Sequence, residues 1–350
     1  MRIAIVGAGS MGTIIGAYMT KGGLDVEMID ANREHVEVMS TKGATVQHLE
    51  EDRTFTIPVK AYTPDKMNGI YDLVFLITKQ TANPVVLPNL LKYLNDDSIV
   101  CTLQNGIPEP NVAEVIGEAR TIGGAMLFPA TWIAPGISAE NAPYDRFKTV
   151  AGFDIGEVGR PATPRLEKVK EILDVVAHTT MMDNLMDVKW TKLCVNCCCS
   201  GLSAALSCTF GEAVENKKSR AIEAFVAKEC LDVCHAEGYT MITTLNQNFE
   251  DLYWTDKAGM MRTMDALYNV FKGSMGIASM LQDMQKKQPS EVDYIPGHTE
   301  KYGKKHGIAT PFNSRVAELI REAEARGGVN DMSYLSRFDD LLVGWEDTYS

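Results

Sequence analysis

Residues 2–6, Arg-Ile-Ala-Ile-Val, open the chain as a short, almost uninterrupted apolar run, the pattern of a strand covered on both faces. Comparable runs at 26–29, 71–77, 98–103, 121–128, 150–155 and 178–182 predict further buried strands. Between them, apolar positions return at helical spacing over 10–20, 83–94 and 163–176. Residues 45–62 read as strand pieces around the polar turn Glu50-Glu51-Asp52-Arg53, a hairpin or edge excursion. The stretch 129–144, rich in proline, glycine and alanine, predicts a long loop. Beyond a boundary near 183–186 the strand pattern fades. Helical periodicity then dominates over 217–237, 256–271, 277–287, 291–306 and 313–326, with Pro296 predicting a kink in the fourth of these. The expected architecture is an α/β Rossmann-type dinucleotide-binding domain over residues 1–183, followed by an all-α domain over 184–350.

The segment 187–206, DVKWTKLCVNCCCSGLSAAL, predicts about five turns of helix, since it lacks proline and holds only Gly201. Most of its circumference is apolar or small, as on a helix buried from several sides. Lys189, Lys192, Asn196, Ser200 and Ser203 interrupt this at steps of three, four, four and three, which places them on one face. A buried lysine without a partner is costly, so the stripe is expected to line a cleft.

Composition narrows the function. A length of 350 residues fits two domains, and a net charge of −12 disfavours nucleic acid and anionic membranes as partners. There is no run of 18 apolar residues, and the N-terminus enters a strand directly, so a cytoplasmic protein is expected. The eight cysteines are too few for a disulfide framework in so long a chain and read as free thiols. Cys194-x-x-Cys197 and Cys230-x-x-x-Cys234 lie on helical sequence without the turns of zinc ribbons, so no metal site is expected.

Gly7-Ala8-Gly9-Ser10-Met11-Gly12 follows the first strand and opens the first helix. In G-x-G-x-x-G the first glycine permits a tight turn, the second lets a pyrophosphate approach the backbone, and the third lets helix and strand pack closely. Asp30, 18 residues beyond Gly12 and at the end of the second strand, suits the ribose hydroxyls of NAD(H) over the 2′-phosphate of NADP(H). Arg33 lies near enough to oppose that preference, and Asp30 also suits capping the next helix. Lys79 and Asn105 fall at the carboxyl ends of two further strands, where open α/β sheets bind ligands.

Several phrases together resemble the ketopantoate reductase (2-dehydropantoate 2-reductase) family: GAGSMG at 7–12, ITK ending at Lys79, LQNG at 103–106, KWTKLCVN at 189–196, and SMLQD at 279–283 followed by SEVDYIPG at 290–297. They span nearly the whole chain in the family's order. The resemblance implies reduction of a 2-oxo acid, 2-dehydropantoate above all, to its 2-hydroxy acid in pantothenate biosynthesis. By matching position, Lys192 is the general acid, and Asn105 and Lys79 lie at nicotinamide and substrate. Asn196 and Ser279 hold the substrate's polar groups, and Glu291 binds its hydroxyl end and pairs with the lysine. Ser290-x-x-Asp293 also reads as a helix-capping box, which gives Glu291 a structural alternative.

Two positions depart from the family pattern: Ser200, also assigned to substrate, and Gly276 each stand where active members carry asparagine. The segment 240–273 is longer than usual for the family and is expected to reshape or cover the cleft. These departures keep open a related dehydrogenase of another small oxo or hydroxy acid. A nicotinamide-binding sensor without catalysis is the alternative of a different class, disfavoured because a sensor needs no proton donor. Apolar helices in the second domain are compatible with a homodimer.

Overall fold

The computed structural model describes residues 1–48, 53–140, 148–149 and 152–349, so the predicted polar turn at 50–52, part of the 129–144 segment and the first residues of the 150–155 strand lie outside them. The chain divides into two compact units, Met1–Leu185 and Met186–Ser350. In the first, strands β1 (Ile3–Val6), β2 (Val26–Ile29), β5 (Lys60–Tyr62), β6 (Leu73–Leu76), β7 (Ile99–Thr102), β8 (Thr121–Met126), β11 (Phe153–Glu157) and β12 (Thr179–Met181) form one eight-stranded sheet. Its order is β12-β11-β8-β7-β6-β1-β2-β5, with β11 antiparallel to β8 and every other pair parallel.

The unbroken apolar runs follow from cover on both faces. Ile3, Ile5, Leu73 and Phe75 enter one core, whereas Ala4, Val6, Val74 and Leu76 enter the other. Helices α1 (Ser10–Lys21), α2 (Arg33–Lys42), α3 (Asn83–Leu90), α4 (Glu109–Ile116) and α5 (Pro164–Asp174) belong to the same unit.

A second sheet of four strands, ordered β4-β3-β10-β9, packs against α1. The predicted hairpin is present as β3 (Ala44–His48) and β4 (Arg53–Ile57), while the end of the same segment, β5, joins the main sheet beside β2. The long loop expected over 129–144 is instead, in its described part, a hairpin of β9 (Ala130–Ala134) and β10 (Ile137–Glu140) turning at Gly136. Thr131, Trp132 and Ile133 have strand propensity, but the partner of β10 is β3, some 90 residues earlier, which local composition does not reveal.

The second unit is helical apart from a minimal hairpin, β13 (Thr243–Thr244) and β14 (Gln247–Asn248). Helix α6 (Leu185–Val195), a π-helical segment (Asn196–Gly201) and α7 (Leu202–Leu206) run on without a break. Around them stand α8 (Phe210–Glu215), α9 (Lys217–Ala236), α10 (Lys257–Phe271), α11 (Ser279–Gln285), α12 (Pro296–His306) and α13 (Pro311–Ala325). The fourth predicted helix is not kinked at Pro296. It begins there: residues Val292–Tyr294 form a separate 3-10 turn and Pro296 takes the first helical position, where its missing N–H costs nothing. The 240–273 segment starts from bonds to the central helix. Thr240 N–H donates to Asp187 Oδ1 (3.1 Å) and Ile242 N–H to Thr191 Oγ1 (2.8 Å), fastening it to the first turns of α6.

Candidate active site

In the first unit, the glycine-rich loop follows β1 directly. Gly7 has φ +99°, and a Cβ there would lie 2.5 Å from Thr78 N, so only glycine passes β6 at this point. Gly12 abuts the loop itself, its would-be Cβ 2.3 Å from Gly7 O. At Gly9, by contrast, a Cβ would meet nothing within 4 Å. Backbone is thus bare beside the start of α1, the arrangement that accepts a pyrophosphate at a helix N-terminus, so Gly7 to Gly12 fit a dinucleotide.

Two groups hold the loop in place, and neither is marked by motif or periodicity. Ala8 O accepts from Thr13 Oγ1 (2.8 Å) and from His35 Nε2 (2.7 Å). Because Gly136 N–H donates to His35 Nδ1 (2.8 Å), the proton of a neutral ring sits on Nε2. The buried His35 therefore links the glycine loop to the β9–β10 turn.

Asp30 follows β2 at the same sheet edge. Its carboxylate accepts from Asn32 N–H (2.9 Å), and burial pushes its pKa up. It does not cap α2, a role taken by Asn32, which accepts from His35 N–H (3.1 Å). The exposed Arg33 lies 3.8 Å from Asp65.

Lys79 and Asn105 follow β6 and β7, which are neighbours, so this sheet edge also gathers both of them. A buried amide network ties their loops together. Gln80 Nε2 donates to Asn105 O (2.6 Å), and Gln104 Nε2 donates to Thr78 O and Asn83 Oδ1 (both 2.8 Å). Gln104 flanks Asn105 in sequence, the one available signal for this network.

In the second unit the central helix differs from the regular cylinder expected. It widens to a π-helix at Asn196–Gly201. Cysteine, serine and glycine leave room for that wider turn, and such insertions recur at functional sites. The polar stripe is also split in its burial. Lys189 is 1% exposed and Ser203 0%, whereas Lys192, Asn196 and Ser200 remain half-buried. Ser203 Oγ donates to Cys208 O (2.5 Å), so it does not line a cleft. Helix α11, which begins at Ser279, packs against the π segment and α7.

Glu291 is 6% exposed and immediately precedes the 3-10 turn. The predicted capping box is absent: Ser290 Oγ accepts from Val292 N–H (3.2 Å), while Asp293 pairs with Arg321 (2.6 Å). Beside Lys189, the Trp190 ring stands 5.5 Å from that of His298. Burial pushes His298 down to about 3, so it is neutral.

The eight thiols are free and buried, and burial pushes Cys197 and Cys199 well above the ordinary range, which makes them poor nucleophiles. Among the described residues, no group of three or more His, Cys, Asp or Glu is placed to hold a metal ion, and no helix is long and apolar enough to cross a membrane.

Comparison with known proteins covers both units. Residues 3–148 match the family model "Ketopantoate reductase PanE/ApbA", and residues 184–324 match "Ketopantoate reductase PanE/ApbA C terminal". A 2-dehydropantoate 2-reductase of Pyrococcus horikoshii is 28% identical over 338 residues, covering 94% of this chain and 99% of its own. The structure of 2-dehydropantoate 2-reductase from Geobacter metallireducens has a TM-score of 0.74 at 26% identity, covering 92% of this chain and 100% of that one. D-Mandelate dehydrogenase, solved with NADH and anilino(oxo)acetate, has a TM-score of 0.80 at 22% identity, covering 93% and 99% respectively.

Proposed function

Since the chain belongs to the ketopantoate reductase family and is an oxidoreductase of that type, we propose that it reduces a 2-oxo acid to the 2-hydroxy acid using a nicotinamide dinucleotide. Lys192 carries this reading: a half-buried lysine on the helix that turns π at Asn196, within the part matched by the family's C-terminal model. When bound, the reduced nicotinamide supplies hydride to C2 of the acid. Negative charge then grows on the carbonyl oxygen, where the Lys192 ammonium stabilises it and donates a proton. Asn196, Ser200 and Ser279 offer an amide and two hydroxyls for the acid's carboxylate, and Glu291, buried in the same unit, steadies the charged lysine.

Residues Gly7 to Gly12 hold the pyrophosphate, with Ala8, Ser10 and Met11 supplying backbone between the glycines. Lys79 and Asn105 serve the nicotinamide end. Asp30 selects NADH, because a carboxylate at the adenosine ribose would meet a 2′-phosphate with like charge. A reducing cytoplasm suits eight free thiols.

2-Dehydropantoate, the acid in the relatives' name, is the first substrate to test. Steady-state oxidation of NADH and NADPH with a panel of 2-oxo acids decides the reading; tight nucleotide binding without turnover of any acid would leave the sensor alternative. Asp30→Ala should lower the ratio of NADH to NADPH efficiency. An unchanged ratio refutes the role given to Asp30.

A further inference from the structure

The polar face of the central helix ends with Ser203, whose Oγ is engaged on both sides, donating to Cys208 O (2.5 Å) and accepting from Ala278 N–H (3.3 Å). Ser200 is therefore the last residue of the stripe with a half-buried side chain. The two bonds of Ser203 draw two segments against that end of the stripe: the turn into Phe210 and the loop that leads to Ser279. The segments run side by side, with Phe210 N–H donating to Gly276 O (2.9 Å) and Gly211 N–H to Ser274 O (2.9 Å).

Position 276 carries no side chain, and a Cβ there would lie 3.1 Å from both Cδ2 and Cε2 of Phe210. The ring thus lies across the place a side chain at 276 would enter. Phe210 is half-buried and stands beside Phe271 (ring centroids 6.2 Å apart), and Gly276 is flanked in sequence by half-buried Ile277 and by Met275, which is 82% exposed. The loop's own hydroxyl, Ser274 Oγ, accepts from Gly276 N–H (3.4 Å). Past Ser200, therefore, the two segments present an aromatic edge with aliphatic residues next to it in sequence.

Granting oxo-acid reduction, on which this inference rests, we propose that the substrate is a 2-oxo acid with an apolar side chain, aryl or branched alkyl, received by the Phe210 ring across Gly276. An aryl or methyl group gains contact with the ring there, whereas a side-chain hydroxyl gains no hydrogen bond from it.

One pair of acids isolates the effect: 2-dehydropantoate and 3,3-dimethyl-2-oxobutanoate, which is the same molecule without its hydroxyl group. With phenylglyoxylate as the aryl member, kcat/KM is measured for wild type, Phe210→Leu, Phe210→Ala and the double variant Phe210→Ala/Gly276→Asn, each checked for folding by its melting curve. The wild type should prefer the acids without hydroxyl by roughly tenfold to a hundredfold. Phe210→Ala should shrink that preference severalfold, and the double variant, with space and an amide restored, should favour 2-dehydropantoate. A wild type that prefers 2-dehydropantoate overturns the inference. So does a preference that no folded Phe210 variant changes. No turnover of any acid is a different result: it removes the oxo-acid reaction itself, and this inference with it.

Discussion

Glu223, in α9 of the helical unit, is fully buried, and among the described residues neither of its carboxyl oxygens has a hydrogen-bond partner. Burial pushes its pKa well above the ordinary 4.5, so the folded chain holds it as the neutral acid. Replacing it with methionine, similar in length and without polar atoms, removes a buried group that costs about 1–3 kcal/mol when unpaired. The pH dependence is more diagnostic than the offset. Below 4.5 both folded and unfolded chains carry the proton. Above it the unfolded chain releases the proton and the folded one does not, so the wild type loses about 1.4 kcal/mol for each pH unit until the folded group ionises.

The advantage of Glu223→Met should therefore widen as pH rises above 4.5, approaching about 1.4 kcal/mol per pH unit. Urea unfolding followed by tryptophan fluorescence reads this well, since Trp190, Trp254 and Trp345, three of the four tryptophans, lie in the helical unit. A difference that stays flat with pH, or a variant less stable throughout, refutes the assignment of an unpaired neutral carboxyl.

Two further perturbations test other parts of the molecule. Gly9→Ala meets no steric obstacle, so its melting temperature should match the wild type while nucleotide affinity, measured by NADH fluorescence titration, falls about tenfold or more; unchanged affinity would show that no ligand approaches there. His298 is pushed by burial from 6.5 down to about 3, so the helical unit should lose about 1.4 kcal/mol per pH unit as pH falls below 6.5. His298→Phe, keeping the stack on Tyr302 at 4.3 Å, should flatten that decline in the same urea assay, and an equal slope in both proteins counts against a buried neutral imidazole.

Local signals were enough wherever local physics decides. The first strand and the glycine turn into α1 were legible because a strand covered on both faces needs an unbroken apolar run and a turn this tight needs glycine at fixed steps. The β9–β10 hairpin was hidden because its pairing with β3 depends on residues far apart in sequence. The central helix was legible as a helix, but its π turn was not, since small side chains permit the widening without requiring it. That turn accompanies the split of the stripe into half-buried Lys192, Asn196 and Ser200 and fully buried Lys189 and Ser203. His35 is hidden for another reason: a histidine in helical sequence gives no hint that its ring bridges two backbone groups, Ala8 O and Gly136 N–H, about 130 residues apart.

The proton donor is the centre of the functional account, and one comparison tests it directly: the turnover number of wild type and Lys192→Ala with saturating nicotinamide cofactor and the best 2-oxo acid of the panel. Loss of a positioned general acid should lower kcat roughly a hundredfold or more while nucleotide affinity stays within about twofold. A Lys192→Ala enzyme that turns over at the wild-type rate would contradict the account.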